Sequence, residues 1–335
     1  STQKCESVNA EMLKLLIFLI AYACATPIEP KAVPQDYRLP EGAVTVSKYD
    51  IELRIEDNFF EENEFGGIVS IWFTNLQATN EIKLHANGIT FSETKLFRVT
   101  GTEANPVETD VVLTEESFLS DNDTDVLTVV STTQLEANAN YRLNFVYSAQ
   151  LRTSEMYGFY KSYYIGTDGQ KKFLGTTQFQ PTSARKAFPC FDEPEYKATF
   201  DIKIRRPKEL LPLALGNTEG TDVDDNNFVI TTFETTPKMS TYLIAFIVSD
   251  FDCTESSENP IHSVCSRKEA ATERALAVDF GPKLIDAMEK ITDIKYLDSG
   301  IGKMHQVAIP DFSAGAMENW GLLTYRYPSN FPFSV

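Results

Sequence analysis

An alternation of apolar and polar residues sets in at Val44 and recurs, run after run, to about Asp252. In Val44-Thr-Val-Ser-Lys-Tyr-Asp-Ile-Glu-Leu-Arg-Ile55 the apolar residues fall almost every second position. That is the period of a strand with one face buried and the other wet. Gly67–Phe73 continues it, and further runs lie at Val126–Ser131, Tyr141–Tyr147, Ala198–Arg205, Phe228–Thr235 and Ser240–Val248. Clusters of Asn, Asp, Gly and Pro separate them at intervals suited to antiparallel pairing. No long helical period competes in this stretch, so residues 33–252 are expected to form a β-sandwich or saddle. A chain of 335 residues, 42% apolar and 12% aromatic, has enough for such a core and for a second one. No internal repeat, low-complexity tract or Gly/Ser linker marks the boundary, which is drawn from the change of pattern.

The pattern changes after Cys265. Arg267 to Ile291 gives the first sustained helical reading, with Leu276, Phe280, Leu284 and Met288 at i, i+4 spacing on one face. Gly281-Pro282 is expected to split or kink that helix. Lys303–Ile309 and Gly321–Tyr325 then read as strands, so residues 253–335 make a second, mixed α and β domain.

The other end of the chain reads as a targeting signal that starts late. Met12-Leu-Lys14 opens a charged stub, Leu15 to Ala25 is apolar, and Ala23-Cys24-Ala25 offers small residues for cleavage, with Thr26 beginning the mature chain. Eleven apolar residues extend about 16 Å as a helix, against about 30 Å of bilayer core, so residues 12–25 read as a signal peptide rather than a membrane span. Residues 1–11 carry Glu6 and Glu11, unsuited to the positive end of a signal, and read as an upstream or non-native segment.

Charge and cysteine usage narrow the class. Thirty basic against 48 acidic side chains leave −18, the wrong sign for coating phosphate backbones or anionic lipid, which argues against nucleic acid as a partner. An exported chain meets an oxidising compartment. Cys253 and Cys265 flank the turn-like stretch Thr254–Pro260, each at the end of a strand-like run, so a disulfide across a hairpin is expected, contributing about 2–3 kcal/mol. Cys190, between Pro189 and Phe191, reads as a packed thiol rather than a nucleophile. Asn122-Asp-Thr124 is a glycosylation sequon in an acidic, turn-forming stretch.

The most specific segment is Pro310-Asp-Phe-Ser-Ala-Gly-Ala-Met-Glu-Asn-Trp-Gly-Leu-Leu-Thr-Tyr-Arg326. Its Gly315-Ala316-Met317-Glu318-Asn319 resembles the GAMEN motif of the zinc aminopeptidases of the aminopeptidase N type, within the gluzincins. Thr177-Gln-Phe-Gln-Pro-Thr-Ser-Ala-Arg-Lys-Ala-Phe-Pro-Cys-Phe-Asp-Glu-Pro194 is similar to a second signature of that family, and Leu84-His-Ala86 to an early strand. The resemblance covers roughly residues 35 to 326. It implies an N-terminal β domain followed by the start of a thermolysin-like α+β catalytic domain.

The chemistry of these residues agrees with that resemblance. An aminopeptidase must distinguish a free N-terminal ammonium from an internal peptide bond, and a fixed carboxylate in a desolvated cleft does so by charge pairing. Glu318 is the candidate. By resemblance Gly315 and Ala316 supply main-chain contacts to an extended substrate, Ala314 and Met317 line a pocket for its first side chain, Asn319 completes the motif, and Gln180 assists at the ammonium, with Gln178 nearby. Without the resemblance Glu318-Asn319 reads as an exposed turn, and Asp192-Glu193-Pro194 as turn formers, Arg185 pairing with one of the acids.

The resemblance also implies zinc in the complete enzyme, held by H-E-x-x-H on a helix and a downstream Glu. His85, His262 and His305 lack that spacing, and sixteen residues follow Asn319. The expectation is a fragment without the metal site, inactive alone, that binds no zinc itself. From Tyr327 to Val335 the resemblance fails, which a frameshift, an alternative terminal exon or an incomplete assembly would each produce. Peptides with free N-termini are the implied partners, a secretory-pathway, extracellular or cell-surface destination is implied, and a membrane tether would lie in C-terminal sequence. The competing expectation is a naturally truncated, non-catalytic secreted β protein that binds peptides or partners.

Overall fold

Alternation produces long antiparallel strands first. In the computed structural model, which describes residues 37–102, 105–114, 119–121, 123–224 and 227–327, β1 (Val44–Arg54) runs beside β2 (Glu64–Asn75), joined through the short helix α1 (Phe59–Glu62). The described residues from Leu39 onward belong to one compact unit. The signal peptide, the upstream segment, Asn122 of the sequon and all of the divergent tail except Tyr327 lie outside the described residues.

Beyond β2 come β3 (Thr79–His85), β4 (Ile89–Thr102), β5 (Asn105–Val111), β6 (Leu119–Asp121), β7 (Val126–Leu135) and β8 (Ala139–Gln150). A hairpin of β9 (Gly158–Ile165) and β10 (Lys171–Gln178) precedes β11 (Thr199–Pro207), β12 (Leu211–Leu213), β13 (Thr218–Val223), β14 (Phe228–Phe233) and β15 (Ile247–Ser249). An eight-stranded sheet has the order β13-β14-β11-β1-β2-β8-β4-β5, beside sheets ordered β12-β15-β10-β9 and β3-β7-β6. Inward residues such as Tyr49, Ile51, Leu53, Val69, Ile71, Leu143 and Phe145 are buried. Aromatic rings fill the space between layers: Tyr49 stacks on Phe200 at 4.8 Å, and Phe159 meets Phe65 and Phe246 at 5.0 and 5.1 Å.

The chain then forms β16 (Asp252–Glu255), β17 (His262–Ser266), α2 (Ala275–Thr292), β18 (Met304–Ile309), β19 (Ala316–Met317) and β20 (Leu322–Arg326). Their sheet has the order β16-β17-β18-β20-β19, with β17, β18 and β20 parallel. Cys253 and Cys265 face each other in the β16–β17 ladder and are joined by a disulfide. The fold is mostly β.

Two expectations need correction. Ser240–Val248 is not one strand: Ser240 Oγ donates to Pro194 O and Thr241 Oγ1 to Asp192 Oδ1, at 2.7 Å each, which holds Thr241–Leu243 as a 3₁₀ turn and leaves only β15 in the ladder. Gly281-Pro282 does not break α2. A Cβ on Gly281 would sit 2.2 Å from the His262 ring, so glycine lets the helix lie directly on β17. Leu276, Phe280, Leu284 and Met288 are 47–60% exposed, while Gly281, Pro282 and Ile285 on the adjacent face are buried. Periodicity reports that a helix has an apolar stripe, not which neighbour covers it.

Lys303, just before β18, is 4% exposed, with Phe233 5.8 Å from its ammonium and His305 Nδ1 3.4 Å away. Burial pushes its ammonium down to about 7 from 10.5, against the opposing pull of Glu234. Between those two pH values the unfolded chain holds a proton that the folded chain does not, so stability rises with pH through that window. Lys303→Met is expected to stabilise the chain at pH 7 by about 1–3 kcal/mol. The difference should shrink towards pH 10 in urea unfolding at a series of pH values, and a gap independent of pH would contradict it.

Candidate functional site

Two parallel strands and one antiparallel edge strand build the site. β18 pairs with β20 from His305↔Leu322 to Ile309↔Arg326, and β19 folds back on β20 with Ala316 opposite Tyr325 and Met317 opposite Thr324. The segment Gly315–Asn319 therefore occupies the outer edge of the five-stranded sheet. Strand alternation sorts it: Gly315, Ala316 and Glu318 are exposed, whereas Met317, at 1% exposure, packs into the core.

The turn beyond Glu318 is held from inside. Asn319 is buried, and its Nδ2 donates to Leu322 O at 3.1 Å and Thr324 Oγ1 at 3.3 Å, while Leu322 N returns a bond to Asn319 O. Gly321 takes φ +81°, and a Cβ there would lie 2.2 Å from Leu215 O. Both residues shape the hairpin that leaves the Glu318 side chain exposed.

Arg326 holds the other side. Its guanidinium donates to three successive carbonyls, Phe312 O at 2.6 Å, Ser313 O at 2.6 Å and Ala314 O at 3.0 Å. Its backbone N–H bonds Gly315 O at 2.9 Å. Sequence reasoning assigned no role to this arginine; the available signal was a fork-shaped donor at a strand end beside a loop rich in backbone acceptors.

The 177–194 segment meets Leu84–Ala86. His85 N donates to Cys190 O at 2.8 Å, and Cys190 N returns to His85 O at 3.0 Å. Asp192, 1% exposed, accepts from Arg185 N at 3.2 Å, Arg185 Nε at 3.0 Å and Thr241 Oγ1 at 2.7 Å, and its own N–H bonds His85 Nδ1 at 3.3 Å. Glu193 accepts from Leu39 N at 2.7 Å. Asp192 is thus a buried ion-pair partner. Burial, with Asp192 adding to it, pushes the Cys190 thiol well up, so it stays protonated and inert.

Gln178 is buried at the end of β10 opposite Gly158, and its Oε1 makes no hydrogen bond among the described residues; Gln180 is exposed. No hydrogen bond joins either glutamine to residues 315–319 among the described residues. The β9–β10 hairpin instead reaches the loop ahead of them: Tyr160 Oη donates to Asp311 O at 2.8 Å, and Ser162 Oγ lies 3.4 Å from Asp311 Oδ2.

Among the described residues no three His, Cys, Asp or Glu side chains converge in a way that could hold a metal ion. His262 Nε2 lies 2.7 Å from Gln306 Nε2, and burial lowers its pKa. His305 is held down to about 3 by burial, with Lys303 and His262 adding to it. These residues do not fit a zinc site.

Residues 45–243 match the family described as Peptidase M1 N-terminal domain, and residues 276–329 match the Peptidase family M1 domain. The chain is 38% identical over 302 residues to membrane alanyl aminopeptidase of Manduca sexta, covering 87% of this chain and 30% of that protein. It is 35% identical over 303 residues to puromycin-sensitive aminopeptidase of Caenorhabditis elegans, covering 89% and 30%. Against aminopeptidase N of Bos taurus it is 35% identical over 318 residues, covering 90% and 31%. The chain therefore spans about a third of the length of the relatives it matches. With the N-terminal match alone running through more than half of its residues, this chain belongs to peptidase family M1.

Proposed function

We propose that this chain is the N-terminal portion of a secretory-pathway zinc aminopeptidase that removes N-terminal residues from peptides. Its part is to anchor the free amine of the substrate on Glu318, with zinc held by residues outside this chain, and alone it is inactive. The observation that carries the reading is the edge strand 315–318, which presents an exposed backbone edge and an exposed carboxylate side by side. An extended peptide adds to such an edge by main-chain hydrogen bonds, and the carboxylate then meets its terminal ammonium. Gln180, exposed beyond the β10 end, is the proposed second acceptor for that ammonium.

The exposed stripe of α2 supports the fragment reading over a self-sufficient binding protein. Leu276, Phe280, Leu284, Met288 and Ile291 are 47–77% exposed along one helix face. A continuous apolar surface of this kind marks an interface. We assign it to the remainder of a larger catalytic domain, in keeping with relatives about three times as long.

In the enzyme that includes this chain, Glu318→Gln should lower kcat/KM for aminoacyl substrates by at least about tenfold, the loss of one charge-assisted contact to the amine. The chain Ser1–Val335 by itself should release no amine from such substrates in a chelator-sensitive way. Chelator-sensitive turnover by the isolated chain would defeat the fragment reading, and an unchanged kcat/KM would defeat the assignment of Glu318. Arg326→Lys keeps the charge but cannot span three carbonyls. It should cost about 1–2 kcal/mol and speed amide hydrogen exchange across 312–316. Exchange identical to that of the unaltered chain would show that the clamp does not hold the loop.

A further inference from the structure

A second crevice opens away from the edge strand, at the carboxyl ends of the parallel strands β17, β18 and β20. Ligands of open sheets containing parallel strands favour that end, where successive loops diverge. The crevice measures about 290 Å³, just below the range of about 300–1,000 Å³ for ligand clefts. That is room for a single amino acid rather than a peptide.

Its walls are apolar and its charges are opposite. Tyr163, Phe251, Pro310 and Tyr327 line it together with one cation, Arg267, and one anion, Asp311. Arg267 lies with its guanidinium carbon 5.2 Å from the Tyr327 ring, and its Nε is buried without a hydrogen-bond partner among the described residues. Among the described residues the Asp311 carboxylate receives the long contact from Ser162 and no other hydrogen bond. Among the described residues neither charge forms an ion pair, although Lys172 nearby is within 4 Å of both Asp250 and Glu269. Arg267 also hydrogen-bonds the side chain of Tyr327, whose hydroxyl donates to Glu273. Two charges of opposite sign, each without an ion-pair partner among the described residues, line one small apolar space and match a zwitterion. A guanidinium fork takes a carboxylate, and a carboxylate takes an ammonium.

We propose that this crevice binds a free α-amino acid with an apolar side chain, its carboxylate on Arg267 and its ammonium on Asp311. The site is separate from Glu318 and stands whether or not the anchoring role holds. Its seat includes Pro310 and Asp311, which open the loop that Arg326 clamps.

Calorimetric titration of the chain Ser1–Val335 tests this with three ligands. L-leucine carries both charges, L-leucinamide lacks the carboxylate, and N-acetyl-L-leucine lacks the ammonium. Leucine should bind with Kd near about 1 mM. Each analogue should bind at least about tenfold more weakly, because it leaves one protein charge unmatched. Arg267→Gln should abolish the preference for leucine over leucinamide, and Asp311→Asn the preference over N-acetyl-leucine. The analogue series on the unaltered chain needs no variant to fold. Absence of saturable leucine binding up to about 10 mM, or equal affinity for all three ligands, would overturn the proposal. So would leucine affinity that falls with Glu318→Gln but not with Arg267→Gln and Asp311→Asn, since the amino acid would then sit at the edge strand.

Discussion

The buried Asp192 carboxylate ties together segments that no single sheet connects. Arg185 from the 177–194 segment and Thr241 from the turn before β15 converge on it, while the Asp192 backbone N–H donates to His85 Nδ1 at the end of β3. With 1% of Asp192 and 7% of Arg185 exposed, neither charge has water to fall back on. Removing one partner of such a pair strands the other in a low-dielectric interior, at a cost of about 3–5 kcal/mol. The geometry of the β9–β10 hairpin follows from this anchorage, because the segment leaving β10 is the one that Asp192 holds. That hairpin in turn meets the second sheet through Tyr160 and the Asp311 carbonyl. Placement of the 310–318 region thus depends on a salt bridge far from it in sequence.

Strands with one buried face were legible because alternation and burial are the same fact seen twice. β1 and β14 lie within the runs read from the sequence, and β2, β7, β8 and β11 contain or extend theirs, in stretches that alternate or are rich in β-branched and aromatic residues. β4 and β5 were not read, and their burial patterns explain why: β5 is exposed at nearly every position, and β4 buries only Leu96 among its residues. Such strands are held by ladder hydrogen bonds to β8 and to each other, which leave no hydropathy signature. Ser240–Val248 misled in the opposite way, since its apolar residues Ala245, Phe246 and Ile247 are buried while side-chain bonds to Asp192 and Pro194 bend the backbone ahead of them.

The site was legible as a motif and not as a mechanism of support. Five consecutive residues pointed to Gly315–Asn319, but their division of labour comes from the pleat and the turn. Asn319 spends its amide on Leu322 and Thr324, and Met317 faces the core, so of the motif side chains only Ala316 and Glu318 are presented outward. Arg326 was invisible in this role because its acceptors are main-chain carbonyls, which every residue carries and no pattern distinguishes.

Exposure of Glu318 limits what it can do unaided. At about 4 Å in bulk water a carboxylate and an ammonium attract by about 1 kcal/mol, and an exposed pair often contributes less once side-chain entropy is counted. The same pair at an effective dielectric constant near 20 is several times stronger. Strong selection for a free N-terminus therefore requires a wall that removes water from the Glu318 side of the edge strand. Helix α2 packs on β17 of the same five-stranded sheet, and its exposed apolar stripe has the character of a surface built to be covered. On the proposed reading the rest of a catalytic domain would bury the stripe by the hydrophobic effect, and exclusion of water at the edge strand would turn a weak surface contact into a selective one.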